Sequence, residues 1–142
     1  TANVGGNTIT FCHYFKHVNA VEIEPTTFNV LENNVNVYDI KNINLYCTDY
    51  LEIADKLKQD VIFIDPPWGG TKYKEHEKIP LFLSDFPIGY VIYRLLSHAK
   101  IIVLQAPFNI DLEQLYQYIS PTIVQSYKVK NYYNFVIVYS GT

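Results

Sequence analysis

At 142 residues, 49% of them apolar and 15% aromatic, the chain is long enough for one globular domain with a real core. A net charge of −3 argues against the broad basic face of a non-specific nucleic-acid binder, though not against recognition of one base or chain end. No apolar run approaches the roughly 20 residues of a membrane-spanning helix, no signal-peptide pattern is present, and Cys12 and Cys47 form neither a disulfide framework nor a Cys/His metal pattern. A reducing, intracellular setting is expected, away from any membrane and with no call for a metal.

The chain opens on TANVGGNT. Gly5-Gly6 would turn the backbone into a short helix carrying Ile9, Phe11, Cys12 and Phe15, and a glycine turn at a helix start lets a ligand approach main-chain amides. Such a turn normally follows a strand, so a first strand is read as missing and the domain as N-terminally incomplete. Val18 to Ile23 predicts a strand ending in acids, Glu22 and Glu24. An acid at about this distance from a glycine turn is where nucleotide-binding α/β folds hold ribose hydroxyls. The plainer alternative is a solvated strand end. Pro25 suits a first helical position, and Phe28, Leu31, Val35 and Tyr38 recur at helical spacing. Ile43 to Cys47 predicts a further strand, followed by Asp49 and Tyr50, with a helix expected over Leu51 to Gln59.

The next stretch is VIFIDPPWGG, Val61 to Gly70. Four apolar residues predict a strand buried on both faces. Asp65 stands where it would leave the sheet, Pro66 and Pro67 stiffen the exit, and Trp68, the only tryptophan, follows. In open α/β sheets ligands sit at that end of the strands. An exocyclic amine on a nucleobase is a poor nucleophile because its lone pair is delocalised into the ring. A carboxylate (Asp65) and a backbone carbonyl (Pro66) accepting its two N–H groups would aim the lone pair, and an indole could stack on the base. The plainer reading is a rigid loop with Trp68 in the core.

A polar segment, TKYKEHEK, comes after Gly70. It reads as a solvated loop in which Lys72, Lys74 and Lys78 could meet phosphates and His76 is a surface residue. Ile88, Val91, Ile92, Leu95 and Leu96 predict a helix, and Ile101 to Leu104 a strand. Asp111 and Gln114 fit a capping box for a helix to about Ile119, with Ile110 and Leu115 as a staple. Thr122 to Lys128 and Tyr132 to Tyr139 predict a closing hairpin that turns near Asn131. Alternating helices and strands imply an α/β fold with parallel pairing and an antiparallel end.

Taken together, DPPWGG at Asp65 to Gly70, VGGNT at Val4 to Thr8, VEIEP at Val21 to Pro25, Asn33-Asn34, Asp49, and Asn109 followed by Asp111 resemble the trimethylguanosine synthase family. These are RNA cap guanine-N2 methyltransferases of the class I, S-adenosylmethionine (AdoMet)-dependent type. The resemblance covers nearly the whole chain. It implies one Rossmann-like methyltransferase core, mostly parallel with a C-terminal antiparallel hairpin, acting on the exocyclic 2-amino group of a 7-methylguanosine cap. It implies that Val4, Gly5, Gly6, Asn7 and Thr8 line the methionine end of AdoMet, that Glu22 holds the ribose and that Asp49 and Tyr50 meet the adenine. It implies Asp65 and Pro66 as the catalytic pair, Trp68 stacked on the cationic base, and Lys72, Lys74 and Asn109 on the cap side. The expected partner is a capped RNA 5′ end, met by a monomer with help from an upstream N-terminal segment. The family often carries a basic residue where this chain has Phe108. Two other readings stay open: an adenine amino-methyltransferase on DNA or RNA, and a non-catalytic cap-binding module that kept the fold.

Overall fold

The computed structural model describes residues 1–139. The chain falls into two compact units, Thr1–Leu57 and the part from Lys58 onward. The first contains helix α1 (Gly6–Tyr14), strand β1 (Val18–Glu22), helix α2 (Pro25–Val37), strand β2 (Ile43–Cys47) and a short helix α3 (Tyr50–Ile53). Strands β1 and β2 pair in parallel, Val18 opposite Ile43 and Glu22 opposite Cys47. Ala20, Leu31 and Val35 form the local core, with Phe28, Ile40, Ile43 and Leu45 packed against it. Helix α2 follows its sequence signals closely. Pro25 opens it, Leu31 and Val35 bury one stripe, and Asp39 ends it in a left-handed conformation (φ 54°). The amides of Asp39 and Ile40 close onto the carbonyls of Asn36 and Val35 at 3.1 Å each, a Schellman stop with aspartate in the usual glycine position.

The helix expected over Leu51 to Gln59 is much shorter. After α3 the backbone tightens into a 3-10 turn, Ala54–Lys56, and Leu57 is extended. Only Ala54 is buried in this stretch, so no apolar stripe exists to hold a longer helix.

The second unit is built on a four-stranded mixed sheet. It joins β3 (Val61–Ile64), β6 (Ile101–Pro107), β8 (Tyr132–Val138) and β7 (Val124–Val129), in that spatial order. Strands β3 and β6 are parallel, and β8 runs antiparallel to both β6 and β7. The closing hairpin is therefore present, turning through Lys130 (φ 53°), and its second strand is the one that docks on β6. Strand β3 is not buried on both faces as expected: Ile62 and Ile64 are buried, Phe63 is half-buried and Val61 is 37% exposed.

Helix α4 (Ile88–Leu95) buries Ile88, Val91, Ile92 and Leu95. It approaches helix α5 (Leu112–Tyr116) so closely that a Cβ on Gly89 would lie 2.6 Å from the Leu115 carbonyl. Asp111 caps α5 by accepting from the amides of Glu113 and Gln114. The reciprocal half of the capping box does not form. The Asp111 amide donates to Ile79 O, and Gln114 Oε1 accepts from the Leu81 amide instead. The helix stops at Tyr116, short of Ile119. One element was not foreseen, a small hairpin of β4 (Phe82–Leu83) and β5 (Phe86–Pro87). Its turn residues Ser84 and Asp85 both have positive φ, 48° and 67°, as a two-residue primed turn requires.

Among the described residues no helix is long and apolar enough to cross a membrane.

Candidate functional site

Two sets of residues stand at strand ends, one in each unit. In the first unit, the segment before α1 runs beside the end of β1, its Ala2 amide donating to Val21 O at 3.0 Å. The chain then turns through left-handed Asn3 (φ 52°) and Gly5 (φ 103°). A Cβ on Gly5 would sit 2.9 Å from Leu31 Cδ1, whereas one on Gly6 would meet nothing within 4 Å. Gly5 is thus fixed by packing and Gly6 faces open space. Asn34 Nδ2, from α2, donates to Val4 O at 2.8 Å and holds the turn from the other side. Gly6, Asn7 and Thr8 form the first turn of α1, whose amides have no helical acceptor. Thr8 is buried.

Glu22 is not the solvated strand end of the plainer reading. It is 8% exposed. Its Oε2 accepts from the Asn3 amide at 2.8 Å and its Oε1 from the Glu24 amide at 3.1 Å. Each oxygen keeps a second lone pair for a ligand hydroxyl. Asp49 lies two residues past Cys47, the register partner of Glu22, so both acids sit at the carboxyl ends of neighbouring parallel strands. Asp49 Oδ1 caps α3 by accepting from the Leu51 amide at 2.9 Å, and half-buried Tyr50 is the first residue of that helix. Because Glu22 holds two amides, Glu22→Ala will lower folding stability by about 1.5–3 kcal/mol, the range for a bond to a charged group. A melting curve of the ligand-free protein checks this; an unchanged Tm would mean that the turn does not depend on the carboxylate.

In the second unit, β3 delivers Asp65 half-buried, then buried Pro66 and exposed Pro67. Burial pushes the Asp65 carboxyl up to about 6. Gly69 and Gly70 (φ 90° and 81°) swing the chain into a 3-10 turn, Thr71–Glu75. That turn places the Tyr73 ring edge-on to Trp68, centroids 5.2 Å apart at 75°. Tyr132 of β8 lies on Trp68 at 6.5 Å and 44°. Trp68 is half-buried, and its Nε1 meets no hydrogen-bond partner. The indole lines a cleft of about 500 Å³ together with Pro67, His76, Lys78, Phe82 and Asp85. Asp65 and Pro66 are not among its lining residues.

The remaining cap-side residues are not among those that line the cleft. Lys72 and Lys74 are exposed on the 3-10 turn and do not line the cleft; Lys74 Nζ instead stands 5.8 Å over the Tyr73 ring. The basic side chains at the cleft are His76 and Lys78, the latter paired with Glu113 at 3.1 Å. Asn109 is buried and reaches back to the loop, its Nδ2 donating to the carbonyls of Tyr73 and His76 at 2.8 Å each. The cleft wall of Phe82, Ser84 and Asp85 was not foreseen. No glycine or asparagine marks its turn, and only the positive φ angles do.

The sequence pattern described as RNA cap guanine-N2 methyltransferase matches residues 2–141. A protein of uncharacterised function from Acanthamoeba polyphaga mimivirus is 33% identical over 135 residues, covering 92% of this chain and 53% of its own length. The trimethylguanosine synthase of Schizosaccharomyces pombe is 25% identical over 122 residues (80% of this chain, 51% of that protein). That of Saccharomyces cerevisiae is 29% identical over 120 residues (78% and 38%). The chain spans about half the length, or less, of these relatives. Among solved structures, a Streptococcus mutans protein described as a methyltransferase, in complex with SAH, superposes with a TM-score of 0.67 at 11% identity, over 98% of this chain and 85% of that one. A Clostridium thermocellum protein described as an rRNA methylase gives 0.70 at 8% identity, over 97% and 84%. At such identities the likeness is one of fold, the Rossmann-like α/β fold of class I methyltransferases. With the family pattern matched over almost every residue, DPPW at the end of β3 and VGGNT opening α1, the chain belongs to the RNA cap guanine-N2 methyltransferase family.

Proposed function

We propose that the chain transfers a methyl group from AdoMet to the exocyclic 2-amino group of a 7-methylguanosine RNA cap. The observation that carries this reading is the Asp65 to Trp68 exit of β3: an acid and a stiff turn, then an indole that lines a cleft. AdoMet supplies an electrophilic sulfonium methyl. The first unit has a donor set that fits it. Val4 and Gly5 make the turn, and Gly6, Asn7 and Thr8 offer first-turn amides beside the open space at Gly6, for the methionine end. Glu22 keeps one lone pair on each oxygen for the ribose hydroxyls, and Asp49 and Tyr50 stand at the neighbouring strand end for the adenine.

In the second unit, Asp65 in its ionised form and the Pro66 carbonyl accept the two N–H groups of the guanine amine and hold the nitrogen in line. Most of the acceleration then comes from alignment, with Asp65 stabilising the positive charge that builds on nitrogen. Trp68 stacks on the base, whose 7-methyl group makes it cationic and so favours an indole face. His76 and Lys78, at the cleft, are better placed than Lys72 and Lys74 to meet cap phosphates.

A methyl-transfer assay with labelled AdoMet tests the reading against three acceptors: 7-methylguanosine cap, unmethylated cap and adenine-containing oligonucleotide. Label is expected on the 7-methylated cap, with the unmethylated cap poorer. Transfer to adenine alone would give the adenine amino-methyltransferase instead, and cap binding without transfer would give a binding module.

A further inference from the structure

We propose that Asn109 is a positioning residue: it clips the 71–76 loop so that Tyr73 sets the Trp68 indole at the angle in which it receives the base. The inference rests on the assignment of Trp68 as the cap-stacking residue, and adds the device that orients it.

The clip is built from contacts distant in sequence. Asn109 is 8% exposed and follows β6 closely. Both bonds from its Nδ2, to Tyr73 O and to His76 O, are 2.8 Å. Its Oδ1 is buried without a partner. The amide is therefore turned for its donors, which gather two carbonyls of one loop, while its acceptor is left idle. Those carbonyls flank the end of the 3-10 turn, which His76 closes with a 3.3 Å bond to Tyr73 O. Tyr73 is the residue whose ring meets Trp68 edge-on. The connection thus runs from Asn109 to the Tyr73 backbone, and from the Tyr73 ring to the indole.

The neighbouring anchor does not depend on the Asn109 side chain. Ile79 N donates to Asn109 O and Asp111 N to Ile79 O, both at 2.8 Å through the main chain. Truncating the side chain should release residues 71–76 and leave the attachment at Ile79 in place.

The experiment uses Asn109→Ala, Tyr73→Leu and the double variant. Trp68 is the only tryptophan, so intrinsic emission reports its surroundings directly. In both single variants the ligand-free emission is expected to shift to the red. KM for the 7-methylated cap should rise roughly tenfold, within the two- to thirtyfold that a cation over an indole face is worth. AdoMet KM should stay near wild type. The double variant should be no worse than the poorer single, because both changes break one connection. Unshifted emission in Asn109→Ala would overturn the proposal. So would a loss of Tm and AdoMet affinity in Asn109→Ala with Tyr73→Leu behaving as wild type, since the side chain would then be merely structural. If the wild-type protein binds no cap at all, the stacking assignment fails, and the emission shift still decides whether Asn109 and Tyr73 set the indole.

Discussion

Asp65→Ala will lower the methyl-transfer rate by about 10²–10³-fold, the scale for removing one preorganised group from a developing charge. Cap and AdoMet affinities should stay within a few-fold, because alignment matters most in the transition state. The wild-type pH profile follows from burial. With its carboxyl pushed up to about 6, Asp65 loses the charge that the reaction uses as the pH falls through that value. The acid limb of kcat/KM should bend near pH 6 in the wild type, since that ratio reports the free enzyme. In Asp65→Asn the bend should be absent and the overall rate lower. Stability moves in the opposite sense. From its ordinary 3.8 up to about 6, the folded protein retains a proton that the unfolded chain has released. The folded state therefore loses relative stability as pH rises through that window, and the loss levels off above it. Asp65→Asn, which never ionises, should gain Tm relative to wild type on going from pH 4 to pH 7. Rate profiles of both proteins and their melting curves at pH 4 and pH 7 check this. A bend at the same pH in Asp65→Asn would assign the titration to another group.

What could be read from the sequence was whatever residue type alone imposes. Pro66 and Pro67 fix φ, and Gly69 and Gly70 admit the positive φ that other residues avoid, so the exit from β3 was legible. Gly5 was legible for the same reason, although its constraint, the approach of Leu31, was not. Glu22 was visible as an acid at a strand end. That it holds the amides of Asn3 and Glu24 was not, because its burial depends on how the preceding turn folds back. Nearness along the chain is the only sequence argument for Lys72 and Lys74 at the phosphates, and on their 3-10 turn they do not line the cleft. The far wall of the cleft was hidden by chemistry: Ser84 and Asp85 take a conformation that asparagine or glycine would have advertised. Asn109 was singled out, but its contacts lie 33 and 36 residues away, where local pattern carries no information.

Trp68→Ala should abolish the preference for a 7-methylated over an unmethylated cap and weaken binding of both. A cation over an indole face gains about 0.5–2 kcal/mol beyond ordinary stacking, so the preference at stake is roughly two- to thirtyfold. The stability cost should lie between that of a surface residue and that of a core residue. The indole is half-buried and touches two rings, Tyr73 and Tyr132. Each aromatic pair contributes about 0.5–1.5 kcal/mol, so a loss of about 1–3 kcal/mol is expected, short of the 3–5 kcal/mol of a fully buried aromatic. Trp68→Phe should keep most of the stability and part of the preference, because a phenyl face attracts cations less than an indole does. AdoMet affinity should survive both changes, since the indole is assigned to the other substrate. Titration calorimetry with the two cap forms and with AdoMet, beside melting curves, separates these effects. A Trp68→Ala protein that melts within this range, holds AdoMet and still prefers the 7-methylated cap would remove the indole from cap recognition. The cation would then have to be sought elsewhere along the cleft, with Phe82 the next aromatic in its lining.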